Sequence, residues 1–250
     1  MGEVRCAPAS VRNIRDLGGL KTRDGKRIRT GCLVRSAHLG ALTGEDLELL
    51  RGPWRVRTVI DLRTPAERLE CPDRVRGVSY LALPVIEDMA AGISHEKAAD
   101  DLPIPDMRIL YRKMMTTPEC VRGFQRILNA ILCSDLSGGA VLWHCTEGKD
   151  RCGMVTALVL EMLGVDRQTI LADYLKTNET ALPRAQAMYE QARQAYGERA
   201  AQRIREAYIV KEDYLRAAWD AMGEGYAERV LEIPLEAQEA FRRAVLEEET

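Results

Sequence analysis

The 250-residue sequence has few aromatic residues and no excess of charge of either sign. Aromatic residues make up 5% of the chain, too few to supply the stacking surfaces that single-stranded nucleic acids require. The 36 lysines and arginines are balanced by 38 aspartates and glutamates, which gives a formal net charge of -2. A protein that binds nucleic acid or an anionic membrane through its overall charge carries a basic excess. The composition therefore predicts no nucleic-acid partner.

The sequence also lacks long hydrophobic runs and paired metal ligands. Its most apolar stretch, Gly153 to Leu160, lies between two charged residues and is too short to cross a bilayer. The seven cysteines form no Cys-x-x-Cys pair and the three histidines are scattered, so no zinc site is predicted. An odd number of irregularly spaced cysteines is typical of reduced, intracellular thiols. We therefore expect a cytoplasmic protein with no metal and no cofactor.

Hydrophobic patterns predict an α/β protein. The first ~150 residues alternate strand-like and helix-like segments, among them buried strands at Arg57–Leu62 and Ala140–Trp143. The residues that follow are predicted to be helical throughout, beginning with a buried helix at Met154–Leu163. We expect one domain over residues 1–250, with an α/β core over 1–178 and a helical part over 179–250 packed on it.

The segment His144–Gly153 places a cysteine and an arginine in a short polar loop between a predicted strand and a predicted helix. Anions bind where strands end and helices begin, and a tight loop can aim several backbone N–H groups at a phosphate. Cys145 begins this loop, and Arg151 follows after five intervening residues. The arginine fork can grip two phosphate oxygens, and the same positive groups favour the thiolate. Cys145 is thus predicted to be a nucleophile and Arg151 a phosphate ligand.

Other interpretations of the loop are weaker. A nucleotide-binding loop needs Ser or Thr after Gly-Lys, where this chain has Asp150. His144 adjoins Cys145 at a strand end, where neighbouring side chains point to opposite faces, so it is expected to brace the loop. Cys145 itself has the alternative of a buried structural thiol.

The sequence His-Cys-x-x-Gly-Lys-Asp-Arg resembles the loop of the bacterial tyrosine-phosphatase-like family of protein tyrosine and serine phosphatases, within the cysteine-based phosphatase superfamily. Similarity to this family extends from about residue 13 to residue 178. The further segments that carry it are Asn13–Gly19, Leu33–Ser36, Val59–Arg63, Leu163–Val165 and Asp173–Leu175.

The resemblance implies a three-layer fold with a central four- or five-stranded sheet flanked by helices, followed by extra C-terminal helices. It implies a mechanism in which Cys145 forms a phosphocysteine, a carboxylic acid protonates the leaving group and no metal takes part. The side chain of Arg151 would hold the phosphate oxygens together with the backbone N–H groups of Thr146, Glu147, Gly148, Lys149, Asp150 and Arg151.

The resemblance also implies supporting roles just after the loop, at Cys152 and Gly153. The family usually has Ser or Thr in place of Cys152, with a hydroxyl that helps the cysteine sulfur leave. A thiol is a weaker donor, so Cys152 is expected to slow the second chemical step. It could also resolve an oxidised Cys145 as a disulfide, or merely fill space at the helix start.

Three carboxylates are candidates for the general acid. Asp61 ends a predicted strand and is the first choice, with a salt bridge to Arg63 or a helix cap as its alternative. Asp150 is second, with the alternative of a brace for Arg151. Asp88 is third; it lies beside Glu87 in a long predicted loop over Pro84–Pro105.

The expected substrate is a phosphorylated protein or a small phosphomonoester, most of all phosphotyrosine, with phosphoserine and phosphothreonine next. Lys149 resembles an added cation of phosphoinositide phosphatases, and only such substrates would bring the protein to a membrane. Glu147 replaces the small residue usual in the family, so the loop side chains sum to zero charge, which favours a simpler monoester.

Two further functions remain as alternatives, a non-catalytic phosphate-binding module and a sulfur-transfer or redox enzyme.

The amphipathic helix Leu182–Tyr196 is expected to pack on the core, with a lid over the site as the alternative.

Overall fold

The computed structural model describes residues 6–87 and 106–248, which form seven strands and eleven helices. The strands are β1 (Arg15–Asp16), β2 (Arg27–Ile28), β3 (Leu33–Ser36), β4 (Val56–Asp61), β5 (Ser79–Ala82), β6 (Ala140–His144) and β7 (Leu246–Glu247). The helices are α1 (Gly44–Arg51), α2 (Pro65–Glu70), α3 (Met107–Thr116), α4 (Pro118–Leu132), α5 (Asp150–Met162), α6 (Arg167–Lys176), α7 (Asn178–Tyr196), α8 (Glu198–Tyr208), α9 (Glu212–Met222), α10 (Tyr226–Arg229) and α11 (Leu235–Val245). Within these ranges, no helix combines the length and apolarity that a membrane crossing requires.

Five strands form the central sheet in the order β1-β3-β6-β4-β5, which confirms the predicted α/β fold. Only β1 pairs antiparallel; the pairs β3–β6, β6–β4 and β4–β5 are parallel. In this register Ser36 and Asp61 both lie opposite His144, so three parallel strands end together. The carboxyl edge of such a sheet is where α/β proteins bind ligands.

Helices cover both faces of the sheet because side chains alternate between them along each strand. Val141 and Trp143 belong to a large core cluster with α3, α4, α5, α9 and α11. Leu142, the residue between them, belongs to a second cluster with Leu50 at the end of α1 and Trp54. The sheet is therefore the middle of three layers, as the resemblance implied.

A small antiparallel ladder joins the two ends of the described chain. The chain turns at Asp24–Gly25, where the N–H of Thr22 donates to the carbonyl of Lys26 at 2.9 Å. The next strand, β2, pairs with β7. The C-terminal strand is thus held against the N-terminal part of the protein.

The helices differ from the sequence predictions in two places. The loop was expected to extend through Arg151 with a helix from Met154, but α5 begins at Asp150. The reason is that Asp150 and Arg151 occupy a first turn whose N–H groups need no intrahelical partner. The second difference is that the C-terminal part is not helical throughout: Gly197, with φ of +82°, separates α7 from α8, and Leu246–Glu247 form the strand β7.

Candidate active site

The cysteine loop, residues 145–151, connects the central strand of the sheet to its most buried helix. β6 ends at His144, Cys145 follows, and Arg151 lies in the first turn of α5. Both Cys145 and Arg151 are buried, with 3% and 5% of their surface exposed. The structure therefore brings the predicted nucleophile and the predicted phosphate ligand to the positive end of one helix.

Gly148 is the tightest point of the loop. It has φ of +65°, a conformation that L side chains rarely adopt. A Cβ atom here would lie 2.5 Å from the carbonyl oxygen of Ser36, at the end of β3. Only glycine lets the loop approach the neighbouring strand this closely.

An outer frame turns the loop carbonyls away from the centre of the loop. The Asn13 side-chain amide donates to the Gly148 carbonyl at 2.8 Å, and Arg35 donates to the same oxygen at 2.9 Å. In a trans peptide the N–H points opposite to the preceding carbonyl. The N–H of Lys149 therefore points away from Asn13 and Arg35.

Asp173 anchors this frame from α6. Its carboxylate accepts hydrogen bonds from Arg15 at 2.8 Å and from Arg35 at 3.0 Å, and Arg35 is fully buried. Burial raises the pKa of Asp173, but the charges of Arg35 and Arg15 outweigh burial and lower it. Sequence reasoning assigned no role to these residues, although they lie in the segments that carry the family resemblance.

Arg151 is held in place by Glu67, the third residue of α2. Two hydrogen bonds of 2.6 Å join its terminal nitrogens to the two carboxylate oxygens of Glu67. The hydroxyl of Thr146 also donates to Glu67 at 2.6 Å. Glu67 thus connects both ends of the cysteine loop to the helix that follows β4.

The charge of Glu67 is strongly stabilised. Burial alone would raise its pKa, but the hydrogen bonds and charge of Arg151, with further bonds from Thr146 and Thr64, lower the pKa to about 2. In the sequence, Glu67 has only the pattern of a capping-box partner of Thr64, three residues earlier, and that box is present. The signal for a second role is its position in the first turn of the helix that follows β4, whose end lies beside His144.

Asp150 lies next to Arg151 and ends a chain of hydrogen bonds. Its Oδ1 accepts from the hydroxyl of Tyr111 at 2.6 Å and from the ammonium group of Lys149 at 2.9 Å. The hydroxyl of Tyr174 donates to that of Tyr111 at 2.6 Å. The carboxyl group is therefore fixed in a largely buried position at the start of α5.

Asp61, the first choice for the general acid, lies in a buried ion-pair cluster instead. Its carboxylate accepts from the Arg63 side chain at 2.7 and 3.0 Å and from the hydroxyl of Tyr80 at 2.6 Å. Burial would raise the pKa of Asp61, but the charges of His144 and Arg63 and the bonds from Arg63 and Tyr80 hold it well below its usual value. Because the Asp61 carboxylate stays ionised, these contacts favour its alternative role, a salt bridge to Arg63.

His144 belongs to the same cluster, beneath the loop. It is fully buried, and its Nε2 lies 3.0 Å from a carboxylate oxygen of Asp73. Burial lowers the pKa of His144, but the charges of Asp61 and Asp73 outweigh it and raise the pKa. This placement agrees with the predicted bracing role.

Asp61, Asp73 and His144 present ligand atoms within 4.8 Å of one another, a spacing that a metal ion can bridge. Arg63, however, ion-pairs with both carboxylates, at 2.7 and 2.9 Å. Since its guanidinium already binds both carboxylates and would repel a cation between them, the donor set does not fit a metal ion.

The two residues that follow Arg151 are packing groups. The Cys152 thiol is fully buried and donates to the carbonyl of Trp143 at 3.7 Å. Burial raises the pKa of Cys152 to about 11. A Cβ at Gly153 would come within 3.1 Å of the Tyr174 ring, so glycine allows α5 and α6 to approach. These contacts favour the space-filling alternative for Cys152.

Lys149 and Glu147 have different partners. The Lys149 side chain is buried, and besides Asp150 its ammonium group donates to the carbonyl of Ala207 in α8 at 2.8 Å. Glu147 lies at the rim, paired with Arg12 at 3.1 Å and with Arg184 of α7 at 2.9 Å. Lys149 is therefore committed to internal contacts, whereas Glu147 is partly open to solvent.

The remaining acid candidates lie at the edge of the described chain. Glu87 is exposed; its backbone N–H donates to Glu119 at 3.0 Å, and its carboxylate lies 3.7 Å from Arg126. Asp88 lies outside the described residues.

The segment Leu182–Tyr196 is part of α7, as predicted, but its apolar face packs on α8. Ala192 forms a small separate cluster with Ala201 and Ile204, and Leu182 and Tyr196 are each 45% exposed. The expected packing on the main core is therefore largely replaced by a helical hairpin. Arg184 brings this hairpin to the rim of the cysteine loop.

Comparisons with known proteins agree with this geometry. The model of the tyrosine phosphatase family matches residues 7–247. The chain is 32% identical over 184 residues to a Cupriavidus necator protein named as a tyrosine-protein phosphatase, covering 68% of this chain and 62% of the relative. It is 34% identical over 194 residues to the triple specificity protein phosphatase PtpB of Mycobacterium tuberculosis, covering 67% of each chain. It therefore spans about two thirds of the length of these relatives.

Solved structures overlap with this chain less closely. The Siw14 catalytic core has a TM-score of 0.39 at 14% identity, over 87% of this chain and 94% of that one. TpbA of P. aeruginosa in complex with phosphotyrosine has a TM-score of 0.32 at 18% identity, over 78% and 88% of the two chains. The family assignment instead depends on the sequence matches, which include the cysteine loop and the frame around it. The chain belongs to the tyrosine phosphatase family.

Proposed function

We propose that the protein is a cysteine-dependent phosphomonoester hydrolase that acts on phosphotyrosine in proteins through a phosphocysteine intermediate. The observation that carries this proposal is the pairing of Cys145 with an arginine that Glu67 holds bidentately at the other end of the same loop. An arginine fixed before substrate arrives meets the phosphate without reorganisation. Family membership supports the same reaction.

In the first step, the Cys145 thiolate attacks phosphorus and forms an S–P bond while the P–O bond to the tyrosine breaks. The inward N–H groups of the loop and Arg151 bind the equatorial oxygens. Glu67 and Thr146 bind the terminal nitrogens of Arg151, and its Nε–H is outside those contacts. The guanidinium can thus keep its anchor and still donate to phosphate.

Asp150 is the proposed general acid and base. Lys149 and Tyr111 stabilise its ionised form in the free protein. An incoming phosphate dianion opposes that charge and favours the protonated form, which can donate to the leaving oxygen. In the second step the resulting carboxylate takes a proton from the water that attacks phosphorus, and the thiolate and phosphate are released.

The α7–α8 hairpin is the proposed cover of the site. Two contacts support this role, that of Arg184 with Glu147 and that of Lys149 with the carbonyl of Ala207. The apolar residues Leu182 and Tyr196 of α7 are exposed, so they are available to a substrate. Since Lys149 is buried by these contacts, it is not offered to a second phosphate of an inositide. Phosphotyrosine is therefore the substrate that this site favours.

The test is steady-state phosphate release from phosphotyrosine, phosphoserine and phosphothreonine peptides and from a phosphoinositide, without added metal. The serine and threonine peptides belong in the panel because the M. tuberculosis relative is named for triple specificity. We expect the highest kcat/KM with phosphotyrosine and none above background for the Cys145→Ser variant. Phosphopeptide binding without release by the unaltered protein would instead indicate a non-catalytic phosphate-binding module.

A further inference from the structure

Glu147 is shared by two arginines that come from distant parts of the chain. Its carboxylate lies 3.1 Å from Arg12, in the segment before β1, and 2.9 Å from Arg184, in α7. Glu147 is only two residues after Cys145, and two residues of chain extend at most about 7 Å. The two arginines therefore meet at a side chain of the cysteine loop, close in sequence to the predicted nucleophile.

The two arginines are positioned in different ways. The backbone of Arg12 is fixed beside Ala37, just after β3, whose N–H donates to the Arg12 carbonyl at 3.0 Å, and the Arg12 side chain pairs with Glu147. The guanidinium of Arg184 lies 5.7 Å from the centre of the Tyr208 ring, where the ring face attracts a cation. Their side chains are 41% and 38% exposed, so an outside ligand can reach them.

A narrow pocket lies between these side chains. Its wall is completed by Lys149, whose charge Asp150 balances, by Thr177 just before α7, by Thr180 and Ala181 of α7 and by Tyr208 at the end of α8. Two guanidinium groups facing one carboxylate leave one positive charge unbalanced. The pocket thus has the charge and the donors of an anion site, with Glu147 as its internal anion.

We propose that Arg12 and Arg184 form a second anion-binding site, which takes an acidic group one or two residues from the phosphotyrosine of a peptide substrate. Glu147 occupies this site in the free protein and is displaced when such a peptide binds. This proposal rests on the proposed function, since it names the kind of peptide that the same active site prefers. A phosphate dianion competes with Glu147 better than a single carboxylate does.

The test compares three peptides that contain phosphotyrosine with a neighbouring glutamine, glutamate or phosphoserine. The quantity measured is the acidic preference, which is the kcat/KM for loss of the tyrosine phosphate from an acidic peptide divided by that from the glutamine peptide. We expect an acidic preference above one, larger for phosphoserine than for glutamate and falling as salt is added. Arg184→Ala should lower it about three- to fivefold, the effect of one exposed ion pair, and Arg184→Lys should lower it less.

Glu147→Gln should raise the acidic preference by a similar factor, because it removes the competing charge but keeps the size of the side chain. Arg193→Ala is the matched control: Arg193 lies on the same helix, pairs with Glu190 at 3.3 Å and does not line the pocket. Its acidic preference should equal that of the unaltered protein. Because the measure is a ratio of two substrates, a general loss of activity in any variant cancels.

The dissociation constants of the same peptides for the Cys145→Ser variant give a reading that needs no turnover. If no peptide is hydrolysed but the Cys145→Ser protein still binds acidic peptides more tightly, the proposed function fails and the second site stands. An acidic preference that is the same with and without Arg184, or that falls in Glu147→Gln, would overturn the second site.

Discussion

Glu67 and Arg151 are joined by two parallel hydrogen bonds of 2.6 Å each, across 84 positions of the sequence. This pair orients the arginine before any phosphate arrives. Removing the charge of Glu67 should therefore weaken the grip on phosphate. Glu67→Gln offers one acceptor and places an amide donor against the guanidinium.

The first prediction is that Glu67→Gln lowers kcat/KM for a phosphotyrosine peptide by about 10- to 100-fold, the loss expected for a charge-assisted bond. Affinity for the inhibitor phosphate should fall with it. Glu70→Gln, an exposed residue of the same helix, is the matched control and should leave both values unchanged. Equal activities for Glu67→Gln and Glu70→Gln would show that Glu67 does not position Arg151 for phosphate binding.

The same residue predicts a pH dependence of stability. The folded-state pKa of Glu67 is lowered to about 2, compared with about 4.3 in an unfolded chain. Its contribution to the free energy of unfolding is therefore full above about pH 4.3 and is lost as the pH falls toward 2. Urea unfolding at pH 3 and pH 6 should show a smaller difference between the two pH values for Glu67→Gln than for Glu70→Gln.

The second prediction distinguishes the roles of Asp150 and Asp61. Asp150→Asn should slow the hydrolysis of phosphotyrosine more than that of an aryl phosphate with a good leaving group, because the latter needs little protonation. Asp61→Asn should instead destabilise the fold by about 3–5 kcal/mol, as expected when one partner of a buried ion pair is removed. Its loss of activity should be the same for both substrates. A leaving-group dependence confined to Asp61→Asn would return the acid role to Asp61.

The third prediction concerns the loop backbone. Gly148→Ala places a methyl group 2.5 Å from the carbonyl of Ser36 in a conformation that only glycine adopts readily. We expect at least a tenfold loss of kcat and weaker phosphate binding. Gly25→Ala, also at positive φ but with open space around it, is the control, and it should keep full activity. An active Gly148→Ala enzyme would show that the loop is less constrained than its contacts indicate.

The sequence predicted the sheet, the cysteine loop and its two principal residues because these are local patterns. A buried strand, a polar loop and an apolar helix follow one another, and the spacing of Cys145 and Arg151 is a property of the loop alone. The same reasoning gave the pairing of Asp61 with Arg63 as one of the alternatives for Asp61.

The partners of the site could not be predicted, because they come from other elements. Which carboxylate contacts Arg151 depends on where α2 lies after β4. The sequence does not distinguish a glutamate that only caps a helix from one that also binds an arginine. The arginines on Glu147 likewise depend on how the α7–α8 hairpin folds back over the loop. Contacts of this kind also argue against Asp61 as the general acid, since Arg63 and Tyr80 already bind its carboxylate.

The fourth prediction is that Cys152 takes no part in redox chemistry. Its thiol donates to Trp143, and burial raises its pKa to about 11, so little thiolate is present at neutral pH. Cys152→Ala should inactivate with peroxide, and recover with dithiol, at the same rates as the unaltered protein. Intact mass measurement after peroxide should detect no disulfide between Cys145 and Cys152. Loss of recovery in Cys152→Ala would establish it as a resolving cysteine.

The fifth prediction is that Cys145 carries phosphate during turnover. Acid-quenched mass spectrometry tests this central claim most directly. Phosphate should be found on Cys145 when a phosphotyrosine peptide is mixed with the protein and the reaction is stopped within one turnover. It should accumulate further in Asp150→Asn with an activated aryl phosphate, because the second step then lacks its base. Phosphate release by the unaltered protein with no phosphate on Cys145 at any time point, and undiminished release by Cys145→Ser, would contradict the account.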